Sequence, residues 1–170
     1  MSELLYINGS GTNYYGQTRI SQSFIPTDDW EVTDIWVDAI WVSSDTNVTV
    51  QIYEDNGGDP NDGSLIATSN SIALYQVPIP ATFDFPTIPS LTNGQKYHLV
   101  YVPFAGQVYW YRTDTSIYAD GGTQYSTNGG STWTNNENIY DQRQLKIIGV
   151  ISTINEAYLD GVSFRGVKIR

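Results

Sequence analysis

Asn47-Val48-Thr49-Val50-Gln51-Ile52-Tyr53, followed by Glu54-Asp55-Asn56-Gly57-Gly58-Asp59-Pro60, decides how the rest of the chain is read. Val48, Val50 and Ile52 fall on one side of an extended backbone. Asn47, Thr49, Gln51 and Tyr53 fall on the other. That period of two marks a strand with one buried face and one wet face. The Gly- and Pro-punctuated polar run behind it can continue neither a strand nor a helix. Strand and tight loop alternate along the whole chain, and no long segment has helical period. The expectation is an all-β protein, a single antiparallel β-sandwich.

Outward from this strand, residues 4–7 read as a short strand and 17–25 as another, closed by Pro26. Residues 32–42 form a longer one. Strict alternation there puts Ile35, Val37, Ala39 and Trp41 on one face, and Asp34, Trp36 and Asp38 on the other. Leu65 opens a short strand. Tyr75, Val77, Ile79, Ala81, Phe83 and Phe85 alternate, and Pro78 and Pro80 among them place that strand at a sheet edge. Strands at 96–103, 107–112 and 144–152 follow, with a loop-rich stretch over 114–138 that holds one hairpin at Asn128-Gly129. Eight to ten strands result. Residues 1–152 read as the sandwich, and 153–170 as a C-terminal extension or terminal strand.

The composition supports this. Of 170 residues, 40% are hydrophobic, enough for one domain with a real core. Charged residues, which normally coat helices, make up only 15%, while Tyr numbers 13 and Trp 5. The net charge of -10 argues against a nucleic-acid partner and against docking on anionic membrane. The absence of Cys removes a disulfide framework, a thiol nucleophile and thiolate metal ligands. The opening Met1-Ser2-Glu3-Leu4-Leu5-Tyr6 has no basic start followed by an apolar run, and no apolar stretch has membrane-spanning length. The expectation is a complete chain made in a host cytoplasm without an export signal and released by lysis, as in a virus particle.

Groups for catalysis are sparse. The one imidazole, His98, lies inside a strand and reads as bonded to a neighbour. Glu31, Glu54, Glu137 and Glu156 sit near loops or strand ends, and nothing in the sequence pairs two of them. The Asp55–Gly63 loop has oxygen ligands of the kind calcium takes, but it lacks the closing Glu of an EF-hand and uses the vocabulary of plain turns. No catalytic residue, metal or cofactor is assigned.

Aromatics on polar faces are the better signal. Trp36 lies between two aspartates, and Tyr109, Trp110 and Tyr111 are consecutive, so at least one must turn from the core. A flat ring beside polar groups suits a sugar, which makes Trp36, Tyr109 and Tyr111 candidates for binding a host surface glycan. Core packing and a subunit interface remain the alternatives. The last segment is cationic and apolar, so Phe164, Arg165, Lys168 and Arg170 are candidates for docking on a neighbour, against the alternative of an ordinary terminal strand.

Gln22-Ser23-Phe24, Val48 to Tyr53, Gly57-Gly58-Asp59-Pro60, Ser90 to Tyr97 and Asn128 to Trp133 come in an order that resembles the jelly-roll-like modules of bacterial surface proteins, the choice-of-anchor type included, and of phage structural proteins. The likeness runs from Gln22 to Val150. Ser126 to Trp133 is also similar to the Asp-box hairpin of sialidase-like propellers, with Asn128 in the aspartate position, although a propeller needs several copies. Such modules are mostly non-catalytic. The resemblance implies a structural or adhesive protein of a phage particle, a capsid decoration, head fibre or tail component. Its partners would be other virion proteins, further copies of itself and host glycan. The alternative is a carbohydrate-binding module recognising cell-surface glycan.

Overall fold

The computed structural model describes residues 2–9, 13–113, 118–137 and 144–152. Every regular element among them is a strand. β1 is Ser2–Asn8, β2 Asn13–Gln17, β3 Arg19–Phe24, β4 Trp30–Val42 and β5 Thr46–Glu54. β6 is Leu65–Thr68, β7 Ile72–Leu74, β8 Ile79–Asp84 and β9 Ser90–Leu91. β10 is Tyr97–Pro103, β11 Val108–Arg112, β12 Gly122–Ser126, β13 Thr134–Glu137 and β14 Gln144–Ile151. The described residues hold fourteen strands, against the expected eight to ten. The extra ones, such as β7 and β9, are too short to display alternation.

The chain from β2 to β5 pairs with the chain running back from β11 to β6. β2 meets β11, β3 meets β10, β4 meets β8 and β5 meets β6, all antiparallel. Successive pairs of this doubled ribbon go to opposite layers, which is jelly-roll winding. The first layer is β1-β14-β4-β11-β2, with β8 and β9 also on β4. The second is β13-β12-β3-β10-β5-β6, with β7 on β5. The expected antiparallel sandwich is present.

The core lies between the layers. Val48, Val50 and Ile52 are fully buried, as their spacing predicts. Two aromatic groups bracket the core. Phe24 stacks between Trp30, with centroids 6.1 Å apart, and Tyr97, at 5.9 Å. Tyr101 presents an edge to Trp110 at 5.0 Å and to Phe83 at 5.9 Å.

Two expectations about faces are corrected. On β4, the register against β8 passes from Val37↔Ala81 to Ile40↔Ile79, so Asp38 and Ala39 together oppose Pro80 alone. This is a β-bulge, and it shifts the alternation by one residue. Ile40 and Val42 are buried, and Trp41 turns outward instead of into the core. In the run from Tyr75 to Phe85, only the second half is strand. Ala81, Phe83 and Phe85 are buried, while Tyr75 and Val77 are exposed in the loop before β8. As Pro78 and Pro80 predicted, β8 is an edge strand, paired among the described residues with β4 alone.

Candidate functional site

The first layer carries aromatic side chains on its outer face. Trp36 and, beyond the bulge, Trp41 come from β4; Tyr109 and Tyr111 come from β11, flanking the buried Trp110. Tyr109 is directly across from Trp41. Their rings stack with centroids 5.5 Å apart and planes 13° from parallel. Tyr111 leans against Trp41 at 5.2 Å with a tilt of 54°. On its other side Tyr109 lies over Gly16 of β2, its partner in register, where a Cβ would strike the ring. A glycine there lets the ring lie flat on backbone. Tyr109 OH donates to Gln107 Oε1 at 2.7 Å, which fixes the ring in place.

Trp36 belongs to a second group on the same face. Lys146 of β14 lies across from it, with Nζ 5.4 Å from the Trp36 ring and 4.6 Å from that of Tyr6 on β1. Contacts of this kind attract a cation to the ring quadrupole. Glu3 bonds the same ammonium at 2.8 Å and raises the pKa of Lys146. Asp34, two residues before Trp36, stands opposite Asp84 of β8. Asn70 Nδ2 donates to Asp84 Oδ2 at 2.6 Å.

Part of the outer face of the second layer is covered. Ser21, Ser23, His98 and Val100 point away from the core yet are buried. Ser23 Oγ bonds the backbone of Gly122, and the Asp55–Gly63 loop is anchored on this side at two places. At its start His98 Nε2 meets Asp55 Oδ1 at 2.9 Å. Further on, Asn61 Nδ2 donates to Gly130 O at 3.2 Å, and Asn61 Oδ1 accepts from Trp133 Nε1 at 2.7 Å. Pro60, between these anchors, is buried. The face of β5 expected to be wet is therefore partly covered: Thr49 is buried, and Gln51 and Tyr53 are half-buried.

Two of the loop's oxygen groups bond its own backbone. Asn56 Oδ1 accepts from Gly58 N and Asp62 Oδ2 from Asp59 N. Among the described residues no group of three or more His, Asp or Glu is placed to hold a metal ion.

His98 Nδ1 lies 3.3 Å from Ser21 Oγ, so Ser21, His98 and Asp55 have the connectivity of nucleophile, base and orienting acid. Ser21 is fully buried in mid-strand, and its hydroxyl is closed to any substrate carbonyl. The relay satisfies a buried imidazole, as buried polar groups require. For Asp55, burial pushes the carboxyl up. The hydrogen bond and charge of His98, the charge of Lys96 and the Gly57 amide outweigh it and lower the pKa.

In the Asn128 hairpin the asparagine side chain closes the turn. Asn128 Oδ1 accepts from Thr132 N at 2.9 Å and from Ser126 Oγ at 2.8 Å, and Gly129 and Gly130 take φ of 70° and 91°. Trp133 Nε1 donates to Asn61 of the neighbouring loop.

Of the sequence candidates, Trp36, Tyr109 and Tyr111 share one outer face, and the structure adds Trp41, Lys146 and Tyr6. Strict alternation hid Trp41, because a bulge leaves no mark in the residue types at Asp38 and Ala39. Tyr118 is pinned by its hydroxyl to the backbone of Ile25, and Tyr125 lies in β12 opposite Ile20. Glu31 and Glu54 belong to different layers. Phe164, Arg165, Lys168 and Arg170 lie outside the described residues, as does Glu156. No protein-family model matches the chain, and no curated protein is detectably similar to it in sequence.

Proposed function

We propose that this chain is a non-enzymatic adhesive protein of a phage particle, a capsid decoration, head fibre or tail component, and that it takes host surface glycan on the outer face of its first layer. One observation carries the adhesive reading: Trp36, Trp41, Tyr109 and Tyr111 stand half-buried on a single face, outside the core they could have joined. Rings held flat by neighbours offer an apolar platform for the C–H face of a sugar at little entropic cost. The placement in a particle rests on the resemblance and on a surface-module composition.

Adsorption of the purified protein to host cell envelopes tests the adhesive reading. Trp41→Ala and Tyr111→Ala should lower the bound fraction while the melting temperature stays put; equal adsorption of both variants would remove this face from the mechanism. Mass spectrometry of purified particles should find the protein, and its absence would remove the virion placement.

A further inference from the structure

We propose that the ligand of this face is a neutral polysaccharide chain gripped along its length, running beside β4 from Trp41 to Trp36. The inference rests on the glycan reading above and adds the class and size of the ligand.

The bulge is the first argument. Without it, Trp36 and Trp41, five positions apart, would face opposite ways. With it they share a face, four residues apart as counted on β8, or roughly 13 Å at the rise of an extended strand. That is wider than any single pyranose ring, so one sugar cannot touch both.

The two ends also differ in build. At Trp41 the parallel Tyr109 ring and the tilted Tyr111 make a platform with a wall, the larger apolar surface. At Trp36 there is one indole, with Lys146 beside it and Asp34 and Asp84 nearby. Trp41 is therefore the primary contact and Trp36 a second one, reached only by a longer chain.

Charge selects the ligand class. The protein carries -10 overall. Lys146, a cation on this face, is already compensated by Glu3. Asp34 and Asp84 stand opposite each other at the Trp36 end. Carboxylates accept hydrogen bonds from hydroxyls and repel anions. A polyanion is disfavoured and a neutral polyol is suited.

Affinity electrophoresis of the whole protein through gels containing hydroxyethylcellulose, xylan, galactomannan, soluble starch or polygalacturonate tests the class. Calorimetry with the disaccharide to the hexasaccharide of the retaining polymer then tests the length. Affinity should climb with chain length. Trp41→Ala should weaken every length. Trp36→Ala should cost the polymer about tenfold, the scale of one aromatic contact, and leave the disaccharide unchanged. Trp36→Phe should restore most of the loss, and circular dichroism melts should match for all variants. A disaccharide bound as tightly as the hexasaccharide, or a Trp36→Ala variant with full polymer affinity, overturns the extended site and leaves the glycan reading standing. Retention on polygalacturonate alone overturns the neutral class. Retention on none of the polymers removes the glycan reading and this inference with it.

Discussion

His98 on β10 and Asp55 at the head of the β5–β6 loop meet at 2.9 Å, so a strand residue holds down the loop that covers its own face. Asp55, ionised, can only accept, which puts the hydrogen of this bond on His98 Nε2 and leaves Nδ1 to face Ser21. Because the folded carboxyl titrates below its ordinary value of 3.8, its contribution to stability is complete above that value. It is lost as pH falls from there through the lower folded value. Melting curves between neutral pH and strong acid should therefore be steeper on the acid limb for the natural protein than for Asp55→Asn. At neutral pH, Asp55→Ala should cost about 1–3 kcal/mol, since it leaves a buried imidazole N–H without its acceptor. Parallel acid limbs would contradict the role given to this pair.

Asn61 ties the far part of the same loop to the Asn128 hairpin through both ends of its amide. Asn61→Ala should release that part while His98 still holds the start. Limited proteolysis should then cut near Gly57-Gly58 faster than in the natural protein, and amide exchange at Val100 should rise. Unchanged protection would mean that Pro60 burial alone keeps the loop closed.

Gly16 leaves no room for a Cβ beneath Tyr109. Gly16→Ala should tilt the ring off its stack on Trp41 and destabilise the fold by about 1–3 kcal/mol, the usual cost of overpacking. Near-ultraviolet circular dichroism should report the changed Trp41–Tyr109 geometry. The double change Gly16→Ala, Tyr109→Ala should recover part of the stability.

Trp41 and Trp110 stand on neighbouring strands with opposite orientation. Trp110→Ala should cost about 3–5 kcal/mol, as for other large core truncations. Trp41→Ala should cost far less and show its effect in adsorption. Denaturant titration separates the two, and similar losses would show that Trp41 is part of the packing.

The fold was legible because its long strands alternate cleanly. Val48, Val50 and Ile52 are buried where a period of two puts them, and the loop after Glu54 falls where Gly and Pro stop a strand. What escaped was set by contacts distant in sequence. The bulge at Asp38 and Ala39 exists only in pairing with β8, so Trp41 looked like core. Tyr75 and Val77 continued an alternation that the sheet ends at Ile79. His98 is buried and bonded to the head of a loop whose landing place depends on Asn61 reaching Gly130. Trp36, Tyr109 and Tyr111 were legible as outward-facing, but their gathering on one sheet follows from β4 pairing with β11 and β14.

The Asp55–Gly63 loop gives the molecule a back. Among the described residues, one broad surface is partly covered by folded chain, and the opposite one presents rings that are half bare. Contact made through the open side is directional. On any support that carries many copies, avidity accrues only to those mounted with the back inward, so the orientation of attachment governs how strongly the array holds.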